Sequence, residues 1–342
     1  EKALIEALNF AENNSLEATF EYGASLNSLA IIYEDKGKAP LAEETFQSAI
    51  DIFQRMGEDY EEAVINTESN LARVYFNLGD YEKASTLQQK VAEVNREYYG
   101  EESFTYAIDL LNLARTLQYQ GKYAEAEDSY KKCLEVFELS SGTKENLDYG
   151  RTESLMAQLY SKWGRIDESI NRAKSAIKTY QTALGEINYE TAFPYASLGF
   201  AYMSIDLLGE AHIAIDNAYE IRKSTLGKNH PLFALSSNQM AILQWKKGDF
   251  KEAMKYYKET FANYFGQINS YFPVLTEEEK ATFFYTNLKP AFEQYVSFIE
   301  ETSSENKELL GEIYDYQLSL KGLIMYATAK VRSSILASND SI

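Results

Sequence analysis

A small residue returns every 42 residues along this chain, and a period of that length admits few folds. Gly37, Gly79, Gly121, Gly164, Asp206 and Gly248 stand at intervals of 42, 42, 43, 42 and 42. Seven residues before each lies a small side chain: Ala30, Ala72, Ala114, Ala157, Gly199 and Ala241. Five after each lies another: Ala42, Ala84, Ala126, Ser169, Ala211 and Ala253. The residue eight before is always apolar: Leu29, Leu71, Leu113, Met156, Leu198 and Met240. Self-similarity at a fixed period of this size marks one structural unit copied along the chain. Such a unit cannot bury its apolar face alone, so the copies must stack and share a core.

The pattern inside one copy predicts two helices. Before Gly79, Leu71, Ala72, Tyr75 and Leu78 form an apolar stripe at helical spacing. After it, Tyr81, Ala84, Leu87, Val91 and Val94 continue at the same spacing. Glycine suits the turn between them, because it adopts positive φ without a Cβ clash. Ala72 and Ala84 are small enough for the two helices to approach closely. A second ladder, Gly57, Gly100, Gly142, Gly185 and Gly227, follows each second helix and suits its C-terminal cap. Polar linkers such as Gly227-Lys228-Asn229-His230-Pro231 lead to the next copy. Residues 1–11 match the end of a second helix, since Ala7 and Leu8 fall one period before Ala49 and Ile50. The chain is therefore expected to start inside an earlier repeat, without its native N-terminus.

The turn Gly121-Lys122-Tyr123-Ala124-Glu125-Ala126, with Leu113-Ala114 upstream, resembles the tetratricopeptide repeat (TPR) signature, and so do the turns at Gly79 and Gly248. The usual TPR period is about 34 residues. The longer period here, with the Gly-x-x-His-Pro linker at Gly227 to Pro231, is similar to repeats of the kinesin light chain type. The resemblance implies an all-α fold: a right-handed superhelical solenoid of antiparallel helix pairs. It covers residues 1–265, as a partial first repeat and six repeats anchored at the residues named above. The copy at Asp206 departs most, with Gly199 and Asp206 in place of the usual Ala and Gly.

Charge narrows the partners. The chain carries 52 acidic and 33 basic side chains, a net charge of −19, and its first 65 residues hold 14 acidic against 4 basic. Nucleic-acid phosphates and anionic membrane surfaces both demand a basic face, so neither partner is expected. Two readings of the acidity stay open: a basic protein or peptide partner, or simply a well-solvated exterior. No apolar run approaches the ~20 residues of a membrane span. One cysteine excludes an internal disulfide framework and fits a reducing, cytoplasmic setting.

No residues assemble into a catalytic set. Cys133 occupies a slot held elsewhere by Ala49, Val91, Ala176, Ala218 and Thr260, which reads as a buried structural thiol. His230 belongs to a linker, with a capping or packing role, and nothing in the pattern singles out His212. These dispersed residues make no zinc site, and no phosphate-binding glycine loop occurs. Thr276 with Glu279 reads as a helix capping box. No enzyme activity, cofactor or metal is expected within these residues.

In a TPR stack the first helices line the concave face. The resemblance places the residues nine, six and two before each anchor in that groove. In two adjacent copies these are Asn70, Arg73, Asn77 and Asn112, Arg115, Tyr119, and in the next copy the middle position is Gln158. Helical spacing sets each Asn beside its Arg. An Asn amide donates and accepts together, as an extended peptide backbone requires, and Arg offers a fork to a carboxylate. The alternative is that these side chains merely solubilise an exposed face.

After Gly266 the period fails, with Pro290 and Tyr295 where the next anchor Gly and Ala belong. Helical spacing continues from Thr276 to about Glu301, and again through Leu309, Ile313, Tyr316, Leu320 and Ile324. Residues 266–342 therefore read as non-repeating capping helices. Leu275-Thr276-Glu277-Glu278-Glu279-Lys280, Leu288-Lys289-Pro290-Ala291-Phe292 and the stretch from Tyr316 to Arg332 resemble the region that joins TPR arrays to CHAT domains in bacterial proteins. CHAT domains are caspase-like, and such a domain would begin after residue 342. The resemblance implies a groove that binds a protein or peptide, in the regulatory arm of a CHAT protease. The rival reading is a scaffold that self-assembles through its outer faces with no groove ligand.

Overall fold

A computed structural model describes residues 1–144, 146–272, 280 and 283–302. The capping box at 276–279, the second C-terminal helix at 309–324 and the stretch 316–332 lie outside them. Among the described residues the chain is all-α, with no strand. It divides into two compact units, Glu1–Gly227 and Lys228–Ile342.

The first unit opens with a lone helix, α1 (Lys2–Asn13). Five pairs follow: α2 (Phe20–Asp35) with α3 (Ala39–Met56), α4 (Glu61–Leu78) with α5 (Tyr81–Tyr99), α6 (Phe104–Tyr119) with α7 (Tyr123–Ser141), α8 (Leu147–Trp163) with α9 (Ile166–Leu184), and α10 (Ala192–Ser204) with α11 (Leu208–Leu226). Within this unit α3 also packs on α4, α5 on α6, α7 on α8 and α9 on α10, which makes the array a solenoid. First helices touch one another at α2–α4, α6–α8 and α8–α10. The second unit holds α12 (Pro231–Lys246), α13 (Phe250–Tyr271) and α14 (Lys289–Thr302). Tyr295, Phe298 and Ile299 of α14 are fully buried against Tyr257 and Phe261 of α13. Just before α14 the chain winds as a π-helix over Phe284–Leu288. Pro290, which lacks the N–H to continue an α-helical ladder, follows that widened turn.

The turn inside each pair closes by the same bonds. Gly79 takes φ 79°, ψ 7°, and the next N–H, of Asp80, donates to the Tyr75 carbonyl at 2.9 Å. This is the six-to-one bond of a Schellman cap. It recurs from Lys38 to Tyr33, Lys122 to Leu117, Arg165 to Tyr160 and Asp249 to Gln244. Asp206 follows the same rule despite its side chain. Its φ is 59°, and Leu207 N–H donates to the Tyr202 carbonyl at 3.0 Å. The second glycine ladder differs at every member but Gly142, which is also left-handed at φ 68°, ψ 7°. Gly100 has φ 88° and ψ 163°, a region that only glycine enters readily.

The small residues flanking each turn are the pivots of the core. Ala30, Ala42, Ala72, Ala84, Ala114, Ala126, Ala157 and Ala211 are all fully buried. His230 acts as the N-cap of α12, its Nδ1 accepting from Leu232 N–H at 3.2 Å. No described helix is long and apolar enough to cross a membrane.

Candidate functional site

Positions nine, six and two before each anchor lie on the first helices. In the second and third pairs four of these side chains line a cavity of about 140 Å³. Asn70 and Arg73 of α4 form one wall, and Asn112 and Arg115 of α6 the other. Gln88 and Val91 of α5 form its floor, with Asp109 and Phe76 at the sides. Four of the seven residues singled out from the pattern thus share one concavity. Asn77 and Tyr119 stand at the exposed ends of α4 and α6, and half-buried Gln158 lies on α8 outside the lining.

The structure separates two arginines that the sequence presents as equivalent. Arg73 Nε and Nη2 donate to Glu34 Oε1 and Oε2 at 2.8 and 2.6 Å, a bidentate pair. Asn77 Nδ2 adds a third bond to Glu34 Oε1 at 3.1 Å. The hydrogen bonds and charge of Glu34 raise the Arg73 pKa further. One period after Glu34 stands Phe76, so Arg115 meets an aromatic ring instead, its guanidinium carbon 5.1 Å from the centroid. A ring face attracts a cation without neutralising it. Among the described residues no carboxylate pairs with Arg115. Phe76 also packs edge-on against Tyr119, which stacks on Tyr81 at 5.2 Å. Lys162 Nζ lies 4.4 Å from the Tyr119 ring centroid. Tyr119 is therefore half-exposed but held in place. Asn70 Nδ2 donates to Asn27 Oδ1 at 3.3 Å, which leaves its own oxygen to accept.

Two cavity residues escaped the reading by groove position. Asp109 is only 7% exposed, and among the described residues its hydrogen-bond partner is Asn95, whose Nδ2 donates to Oδ2 at 2.7 Å. Burial pushes this carboxyl up to about 6, against the weaker opposing effect of the Asn95 bond. Gln88 is 8% exposed, and its Oε1 has no hydrogen-bond partner. A signal existed for both. Twelve before the anchor the other copies carry Ser25, Thr67, Thr152, Pro194 and Ser236, so Asp109 is the single ionisable group in its slot. Nine after the anchor they carry Phe46, Tyr130, Ala173, Ile215 and Tyr257, so Gln88 is the single polar amide.

Elsewhere, polar clusters hold the fold. Glu127 is enclosed by Tyr160, Lys131 and Arg165. Burial alone would raise its pKa, but those three donors outweigh it and hold the carboxyl at about 2. Cys133 is fully buried and donates Sγ–H to the Ala107 carbonyl at 3.2 Å; burial pushes its thiol up, away from reactive thiolate.

Family comparisons fit this architecture. Two tetratricopeptide repeat profiles match residues 63–139 and 236–259. Kinesin light chain-related protein 3 of Arabidopsis thaliana is 21% identical over 273 residues, covering 75% of this chain and 41% of the relative. The chain spans about two fifths of the length of the curated relatives it matches. Among solved structures, BtubC (BKLC) from P. vanneervenii superposes with TM-score 0.54 at 22% identity, covering 66% of this chain and 89% of that one. The apo form of RapI superposes with TM-score 0.57 at 16% identity, covering 77% and 90%. The chain carries tetratricopeptide repeats in a TPR-type solenoid.

Proposed function

We propose that this chain is a protein–protein interaction module, and that it holds a peptide or protein segment along the first helices of its first unit. One observation carries the reading: Asn70, Arg73, Asn112 and Arg115, one period apart in pairs, converge on a single cavity between α4 and α6. Asn70 and Asn112 supply the donor and acceptor pairs an extended backbone needs. Arg115, without a carboxylate of its own, supplies a fork for an acceptor oxygen of the ligand. Arg73 is committed to Glu34 and serves to orient Asn77 and the α4 wall. The net charge of −19 favours a partner that is basic over the rest of its contact surface.

The resemblance of residues 275–332 to the joint between TPR arrays and CHAT domains supports a larger role. In it this module is the sensing arm of a caspase-like protease, and the protease domain of the same chain is its second partner. No catalytic residue of that domain lies in this sequence.

Capture from native lysate, with the wild-type chain beside an Asn70→Ala, Asn112→Ala double variant, tests the groove. Partners retained by the wild type and lost by a variant of unchanged circular dichroism support it. Partners retained equally by both would overturn it in favour of outer-face scaffolding.

A further inference from the structure

We propose that the cavity between α4, α5 and α6 receives one side-chain amide, from a glutamine or asparagine of the ligand. This rests on the groove reading above and adds what the groove selects.

The floor of the cavity is a slot that three other copies fill with a ring. In the first, third and sixth copies the position nine after the anchor holds Phe46, Tyr130 and Tyr257, each fully buried. A ring there fills the space under the first helices. Gln88 in the same slot is smaller than those rings and polar. The result is an open volume of about 140 Å³ rather than packed core. A cavity of about that size holds a benzene ring, so it accommodates one short side chain.

Its chemistry is unlike that of the neighbouring copies. In the Asp109 slot, Thr67 and Thr152 turn their hydroxyls back to the Ala63 and Asp148 carbonyls, both at 2.7 Å. An ionised carboxylate has no proton to give there. Asp109 instead reaches across to Asn95 with one oxygen, and no hydrogen bond engages the other among the described residues. Gln88 Oε1 is likewise an acceptor without a donor. A buried acceptor left unpaired is costly, and Gln88 Oε1, beside the unbonded second oxygen of Asp109, points to a donor that arrives from outside. On the opposite wall, Asn112 and Arg115 present donors.

Charge balance decides the ligand class. Glu34 neutralises Arg73, so Asp109 and Arg115 leave the cavity with one charge of each sign. A cationic side chain would be repelled by Arg115 on the exposed rim. An anionic one would meet Asp109, and an apolar one would bury Asp109 and Gln88 without partners. A primary amide carries no net charge, donates twice and accepts twice. It satisfies Asp109 and Gln88 with its N–H groups, and Asn112 and Arg115 with its oxygen.

The test uses small probes on the whole 342-residue chain, with the Val91 methyl signals as reporter on the cavity floor. The glutamine probe is Nα-acetylglutamine N-methylamide, whose only primary amide is its side chain, and it should shift those signals saturably, with a dissociation constant on the order of 1 mM for so small a ligand. The corresponding lysine, glutamate and leucine N-methylamides should bind at least ~10-fold more weakly. Asp109→Asn should weaken the glutamine probe by about 10-fold, through loss of a charged acceptor. Gln88→Tyr, which restores the ring of the third and sixth copies, should abolish the shift while leaving helicity intact. The proposal is overturned if the glutamine probe gives no saturable shift, if another probe binds as well, or if the shift survives in Gln88→Tyr. Partner capture sensitive to Asn70 and Asn112 would then still stand for the groove, so the two failures read differently.

Discussion

Gly199→Ala looks like a repair and is expected to do damage. Alanine is the residue at this position in the other five copies, and in a helix interior it is about 1 kcal/mol better than glycine. Yet a Cβ on Gly199 would lie 2.3 Å from Ile215 Cγ1 and 3.0 Å from its Cδ1, with the Ala211 carbonyl at 3.4 Å. Ile215 is fully buried on α11. Its Cγ1 sits one bond from Cβ, so only a χ1 change would move it. A β-branched side chain in a helix has one strongly preferred χ1. In the first, third and sixth copies the residue equivalent to Ile215 is aromatic (Phe46, Tyr130, Tyr257) and carries a single γ atom, whereas isoleucine carries two. Overpacking costs of about 1–3 kcal/mol exceed the propensity gain, so net destabilisation of roughly 1 kcal/mol is expected. Urea denaturation by circular dichroism measures the total, and hydrogen exchange should localise the loss to α10 and α11. Adding Ile215→Ala recreates the Ala157–Ala173 pair of the preceding copy. The double variant should therefore be more stable than the sum of the single effects, by about 0.5–3 kcal/mol. A Gly199→Ala chain as stable as wild type, or additive effects in the cycle, would refute the clash as the reason for glycine.

Two further outcomes follow from backbone and burial. Asp206 holds a left-handed turn at φ 59°, so Asp206→Gly should stabilise the chain by about 0.5–1 kcal/mol in the same denaturation assay. Asp109 is raised from 3.8 to about 6, so the folded chain holds that proton more tightly than the unfolded one. Its contribution is therefore fully present below about pH 3.8 and lost as pH rises through about 6. Asp109→Asn should match wild type at the acid end. Above pH 6 it should be more stable by up to about 3 kcal/mol, from roughly two pKa units. An Asp109→Asn advantage that does not grow with pH would contradict the burial of that charge.

The repeat made the helix pairs and their turns legible from sequence, because packing identical units against one another forces the same small residues to recur at each pivot. Glycine at the turn followed from positive φ, and even the departure at Asp206 fell on the right position. The two glycine ladders read alike, however, although Gly79 and Gly100 adopt different ψ values. That difference depends on where the next helix must go.

Groove positions could be named from the family resemblance and the period, but not their condition. Arg73 and Arg115 are indistinguishable in the pattern. Only the folded stack brings Glu34 to one and Phe76 to the other, because each partner comes from the first helix of the preceding copy. Gln88 and Asp109 were visible as departures from their slots, yet a departure carries no meaning until three helices enclose it. Sequence alone determined which residues repeat, and therefore which elements form and which faces are shared. Tertiary structure alone decided which charges are cancelled, which acceptors are left without donors and where space remains. Those properties belong to contacts between copies, and no copy contains them by itself.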